Sequence, residues 1–156
     1  MGVTIDCIFC KIVNGEIPSN LIYQDEIIMC FLDIEPINEG HVLIIPKKHY
    51  LDADEIPTEI LLAIMELSKK IVRVIKERYF PDGYSIMQNG GEFNDIGHYH
   101  MHIFPRYREY GFGWIFSDTK HNVSQDIANE IKEILDKKIK VITAYIVILI
   151  YYELNI

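Results

Sequence analysis

The chain has 156 residues, 49% hydrophobic and 24% charged, with 15 Lys and Arg against 23 Asp and Glu for a formal net charge of −8. That is enough chain for one domain with a real core, in an ordinary globular mix. The acidic balance argues against a general nucleic-acid binder, which neutralises phosphates with a basic face; an anionic small substrate would need a locally positive pocket instead.

The start, Met1-Gly2-Val3-Thr4-Ile5-Asp6, has no basic region and no long apolar run, so it does not read as a signal peptide. Asp6 stands where a myristoylation signal wants Ser or Thr. Three cysteines without a secretory signal point to a reducing compartment and a cytoplasmic protein. Cys7-Ile8-Phe9-Cys10 puts two of those thiols on one turn. Alone, this is a redox pair, half of a zinc site or chance; the βαβ context of a redox pair is absent, and zinc needs two further ligands. The histidines available are His41, His49, His98, His100, His102 and His121.

Lys11-Ile12-Val13 reads as a short helix stopped by Asn14-Gly15. Asn20 to Asp33 reads as a hairpin, with Leu21-Ile22-Tyr23 as one arm, Gln24-Asp25-Glu26 as the turn and Ile27 to Leu32 as the other arm. The second arm is apolar on both faces and should lie centrally, with Cys30 a buried, inert thiol. Asp33 ends it, either binding loop amides or facing a ligand. His41-Val42-Leu43-Ile44-Ile45-Pro46 is a third strand. Pro57 to Phe80 is the main helix, with Leu61, Ile64, Met65, Val72, Ile75 and Tyr79 at helical spacing and Thr58 as its cap. Glu66, Lys69, Lys70, Arg73 and Lys76 form its solvated face. Pro81-Asp82-Gly83 breaks it, Tyr84 to Gln88 is a fourth strand, and Asn89-Gly90-Gly91 permits a tight turn and close backbone approach by a ligand.

Gly97 to Arg106 carries three histidines in strict alternation with apolar residues, the signature of a fifth strand. His98, His100 and His102 share one face, and Tyr99, Met101 and Ile103 the other. At roughly 3.3 Å per residue, His98 and His102 lie about 13 Å apart, too far for all three to hold one ion. Tyr107 to Phe116 reads as an ordered loop. Ser124 could cap a helix through Ile127, Ile131, Ile134 and Leu135. The apolar run Val141 to Tyr152 is too short for a bilayer, which takes roughly 20 residues. It could extend the helix, add a strand or cover another subunit, and its pattern does not choose among these. The expected organisation is a catalytic domain over residues 1–116 and a helical extension over 117–156.

The triad ending in Ile103-Phe104-Pro105-Arg106 resembles that of the HIT (histidine triad) superfamily. Three further stretches fit: Phe9-Cys10-Lys11-Ile12 with Gly15-Glu16-Ile17-Pro18, then Phe31-Leu32-Asp33, then Gly40 to His49. The likeness runs from Cys7 to about Arg106 and is nearest to the Hint-like branch in its bacterial type with Cys-x-x-Cys. It implies an α+β fold, a five-stranded antiparallel sheet with one long helix, and a homodimer whose sheets join. It implies hydrolysis or transfer at the α-phosphate of purine nucleotides, including nucleoside phosphoramidates and dinucleoside polyphosphates. By position, His100 matches the family nucleophile, His102 and His98 the other triad members, and His41 a fourth histidine near the site. Positive charge on these rings would offset the phosphate. Asp33 matches the ribose-binding carboxylate; Phe9, Ile17 and Ile34 the base pocket; Asn89 a polar residue on the phosphate side. The resemblance also points to His49 and His98 as partners of Cys7 and Cys10 in a structural zinc site, which would have four ligands and no open position.

One departure stands out. Many members carry Gly-Gln-Ser or Gly-Gln-Thr before the triad, where this chain has Phe93-Asn94-Asp95. Asn94 keeps an amide, but Asp95 replaces a hydroxyl that would help the leaving group. The competing function classes are a nucleotidyl-histidine hydrolase, a nucleotide-binding or adaptor protein with little turnover, and a metal-dependent hydrolase built on His-x-His. Nucleic acid and stable membrane insertion are not expected.

Overall fold

A computed structural model describes residues 6–113 and 124–154. Readings that rest on Met1 to Ile5, on Trp114 to Phe116 at the end of the aromatic loop, and on His121 lie outside the described residues. The chain divides into two units, Met1–Gly113 and Trp114–Ile156.

The first unit is a five-stranded sheet in the order β1-β2-β3-β5-β4, with every neighbouring pair antiparallel. Its elements are α1 (Ile8–Val13), β1 (Leu21–Gln24), β2 (Ile28–Leu32), β3 (Val42–Pro46), α2 (Thr58–Tyr79), β4 (Gly83–Met87) and β5 (Met101–Arg106). The α+β class and the five strands expected from the sequence are present. The apolar run Ile28–Leu32 is interior, as its two-sided hydrophobicity requires. Ile28 and Cys30 of β2, Val42 and Ile44 of β3, and Met101 and Ile103 of β5 face α2. Met29, Phe31, Leu43 and Ile45 turn the other way and pack with Cys7 and Phe9 around α1. Period-two alternation thus feeds two cores from the same strands. Each buried Ile or Phe contributes about 1.5–3 kcal/mol against leaving it exposed.

This alternation also decides where the histidines go. Leu43 is the cross-strand partner of His102, so the histidine face lies on the α1 side, opposite the long helix.

Three sequence expectations shift. Thr58 is the first residue of α2 and not its cap; Pro57 takes that position, and its carbonyl accepts from Ile60 N–H at 3.0 Å and Leu61 N–H at 3.2 Å. The buried stripe of α2 runs through Ile60, Ile64, Leu67, Ile71, Val72 and Ile75, while Met65 is 46% exposed. β5 begins at Met101, so His98 and His100 precede it. There Tyr99 N–H leaves the ladder to donate to the Tyr50 carbonyl at 2.7 Å.

The second unit contains α3 (Gln125–Leu154), with Ile127 N–H donating to the Ser124 hydroxyl at 3.3 Å in the expected capping role. The run Val141 to Tyr152 therefore continues a helix. Ile131, Ile134 and Leu135 are more than half exposed on it. Among the described residues no helix is long and apolar enough to cross a membrane.

Candidate functional site

Two clusters of side chains meet on either side of Phe9. The first comes from α1 and the ends of β3 and β5. Cys7 caps α1 and Cys10 follows one turn later; His49 lies just past β3 and His98 just before β5. His98 Nε2–H donates to the Pro46 carbonyl at 2.9 Å. That fixes the tautomer and leaves the Nδ1 lone pair facing Cys7 Sγ at 3.4 Å and Cys10 Sγ at 3.6 Å. His49 Nδ1 is 3.3 Å from Cys10 Sγ. The four ligand atoms all lie within 4.8 Å of one another. Burial pulls the His98 imidazole down to about 4, and burial together with Cys7 pushes the Cys10 thiol up to about 11. Two soft sulfurs and two imidazoles, one braced by a backbone carbonyl, are the donor chemistry of a tetrahedral metal centre. The convergence answers the question that Cys-x-x-Cys left open: the group could hold a metal ion.

The second cluster is built around His100, which is 2% exposed. Its Nδ1–H donates to the His98 carbonyl at 2.8 Å, so the lone pair resides on Nε2. The Phe9 ring packs edge-on against it at 5.3 Å between centroids, and the His102 ring at 4.7 Å. Beside it runs a directed chain of hydrogen bonds. Ile37 N–H donates to His41 Nδ1 at 3.1 Å, so His41 carries its proton on Nε2, which faces His102 Nδ1 at 3.0 Å. His102 in turn keeps its proton on Nε2. Asp33 closes the cluster, with Oδ2 3.5 Å from His41 Nε2 and 3.8 Å from His102 Nδ1, while its Oδ1 accepts from Glu35 N–H at 2.9 Å. Burial lowers the pKa of His41 against the pull of Asp33. Burial first, then His100 and His41, draw His102 down to about 4. Both rings are therefore neutral at neutral pH, and what the pair offers a phosphate is the His102 Nε2–H donor rather than the positive charge expected from the sequence.

These groups line a cavity of about 480 Å³, a size suited to a small ligand. Its apolar wall includes Phe9, Ile12, Phe31, Ile34, Leu43 and Ile96; its polar side holds Asp33, Glu35, Asp95 and the three histidines 41, 100 and 102. Among the described residues no Lys or Arg lines the cavity, so the described wall does not build the locally positive pocket expected of an anion site from cationic side chains. Three residues proposed from the sequence are not in the wall. Ile17 yields its place to Pro18 and Ser19. Asn94 spends its amide on the loop, donating to the Leu51 carbonyl at 2.8 Å and accepting from Gly97 N–H at 3.1 Å. Asn89 also stays outside the wall. Phe31, Leu43 and Ile96 were not singled out from the sequence. Phe31 and Leu43 are cross-strand partners, and the alternation that sends Phe9's core to the α1 side was the signal that could have found them.

A buried imidazole with one nitrogen anchored and the other open to a cavity, beside an N–H donor, is chemically suited to group transfer or hydrolysis. The HIT domain family matches residues 14–109. An uncharacterised HIT-like protein of Methanocaldococcus jannaschii is 44% identical over 128 residues, covering 81% of this chain and 98% of that protein. The adenosine 5'-monophosphoramidase of Candida albicans is 39% identical over 146 residues, covering 88% and 96%. Among solved structures, a HIT family protein of Bacillus anthracis superposes with a TM-score of 0.76 at 33% identity, covering 85% of this chain and 96% of that one. A zinc-bound histidine triad protein of Mycobacterium smegmatis superposes with a TM-score of 0.64 at 35% identity, covering 69% and 81%. The chain belongs to the HIT family and is one of its hydrolases.

Proposed function

We propose that the protein cleaves nucleotides at the α-phosphate through a nucleotidyl-His100 intermediate, acting on nucleoside phosphoramidates or dinucleoside polyphosphates. The observation that carries this reading is the bond from His100 Nδ1–H to the His98 carbonyl at 2.8 Å. It holds the ring in the tautomer whose Nε2 lone pair faces the cavity. That lone pair forms the N–P bond; the bond from phosphorus to the amine or phosphate breaks, and the leaving group departs with the electron pair and takes a proton from solvent. Water then attacks phosphorus, His100 leaves with its electrons, and a nucleoside monophosphate is released. His102 donates its Nε2–H to a phosphate oxygen, where a preorganised donor acts without reorganising, and His41 holds His102 in that tautomer by donating to its Nδ1. His98 serves through its carbonyl. Asp33 accepts from the ribose hydroxyls, and Phe9 with Ile34 covers a purine base. Incubation with an adenosine phosphoramidate and a diadenosine polyphosphate, following AMP, tests this. No AMP from either, with nucleotide binding intact, would leave a binding or adaptor protein.

Cys7, Cys10, His49 and His98 would hold one structural zinc per chain, and the zinc-bound relative supports the choice of ion. When bound, the ion supplies a crosslink between α1 and the two strand ends, not a reactive position. Elemental analysis of protein purified without added metal checks it. We further infer a cytoplasmic homodimer joined along β4, which lies at the sheet edge with Tyr84 and Ile86 exposed at 42% and 39%; an unpaired edge of this kind invites a second strand. Sedimentation of the protein and of Ile86→Lys, expected to be a dimer and a monomer, reads that interface.

A further inference from the structure

The nitrogen that attacks phosphorus faces a carboxylate. Asp95 Oδ1 lies 3.9 Å from His100 Nε2, and the Asp95 side chain is 82% exposed at the cavity rim. Asp33 is engaged with an amide and two histidines. Asp95 is not: among the described residues its recorded polar neighbours are the rings of His100 and, at longer range, His102. A phosphorus placed for attack sits about 3–3.5 Å from Nε2, which brings it and what it carries beside this carboxylate. The buried flank of His100 is taken by His102 and Phe9. A leaving group that extends from phosphorus toward the open side of the cavity passes Asp95.

Charge decides what can stand there. A polyphosphate leaving group would bring further negative charge to a rim that already holds Asp95, with no Lys or Arg among the described residues of the wall to offset it. An amine leaving group that bears an ammonium brings the opposite charge to the same place. We propose that Asp95 is a specificity determinant that selects nucleoside 5'-phosphoramidates with a positively charged amine leaving group, over neutral amines and over dinucleoside polyphosphates. This rests on the α-phosphate reading above. The chemical step is unchanged: His100 Nε2 forms the bond to phosphorus, the P–N bond breaks, and the amine leaves with the electron pair and a proton from water. Asp95 takes no proton and contributes only attraction to the ammonium. Because the carboxylate is exposed, the preference is modest, about twofold to fivefold, and it weakens as salt screens the pair.

The test uses three substrates: adenosine 5'-phosphoramidates of butylamine and of 1,4-diaminobutane, which share a four-carbon chain and differ in one terminal ammonium, and a diadenosine polyphosphate. kcat/KM is measured for the wild type, Asp95→Asn and Asp95→Ser at low and high salt. The proposal expects the wild type to favour the diamine compound at low salt, to lose that preference at high salt, and to lose it in both variants, with polyphosphate turnover rising relative to butylamide turnover. Equal kcat/KM for the two phosphoramidates in the wild type, or a preference that survives Asp95→Asn, removes Asp95 from the role while leaving the α-phosphate reading intact. Failure of the wild type to release AMP from any of the three overturns that reading, and this inference with it.

Discussion

His98 and His102 are four residues apart on one extended segment, and their rings end in opposite surroundings. The His98 ring is fully buried between two thiols and a backbone carbonyl. The His102 side chain is 17% exposed beside a carboxylate and a cavity. The Phe9 ring stands between the two sets, 5.8 Å from the His98 ring and 5.3 Å from the His100 ring. One helix turn thus supplies both the thiols and the partition. The same residue type is given a closed, soft donor set on one side and an open, hydrogen-bonded set on the other. The difference teaches that alternation along a strand fixes which way a histidine points, while its neighbours from other elements fix what it does.

If that division holds, substitutions on the open side should cost activity and those on the closed side stability. The largest effect is expected at the nucleophile. His100→Ala should lower turnover by about 10³-fold or more while nucleotide binding, read by calorimetry, survives; activity within tenfold of wild type would end the assignment. Next, Cys7→Ser or chelation should lower the melting temperature by about 10 °C or more, because metal binding is coupled to folding. Unchanged melting together with no zinc by elemental analysis would return the closed cluster to four unligated side chains. Third, Asp33→Ala should weaken ribonucleotides about tenfold more than their deoxy counterparts, since the hydroxyls lose a charged acceptor. Equal losses would make Asp33 a loop residue that only receives Glu35 N–H.

The smallest effect concerns pH. Burial holds the His102 pKa near 4 in the folded protein, against about 6.5 when exposed. Between those values the unfolded chain takes a proton that the folded chain refuses. Stability is therefore full above pH 6.5 and falls as pH drops toward 4. Urea midpoints across that window should show a shallower slope in His102→Asn than in the wild type; parallel slopes would place the titration elsewhere.

Much of this was legible beforehand, for identifiable reasons. The continuous apolar runs Ile28–Leu32 and Val42–Pro46 mark strands covered on both faces, and the period-two alternation of the histidine segment specifies two faces, without any knowledge of the fold. The four motifs of the resemblance then order those faces around a triad. The failures are equally physical. Asn94 was expected to keep the amide that relatives carry before the triad and offer it to the substrate, but a side chain bonded to the Leu51 carbonyl and Gly97 N–H is no longer available to a ligand. Positive charge on His41 and His102 could not be judged from residue type, because desolvation depends on what packs around each ring. The exposed flank occupied by Asp95 was visible only as a departure from a pattern; its 3.9 Å approach to His100 needed coordinates.

The central claim is that His100 Nε2 becomes covalently bonded to the α-phosphorus. Mass spectrometry of the protein quenched in denaturant during turnover of a slow adenosine phosphoramidate measures this directly. The account predicts one added adenylyl group per chain, on the peptide carrying His100 and absent from His100→Ala. Steady AMP release from the wild type with no adduct on that peptide at any time point would contradict it and assign the attack to water.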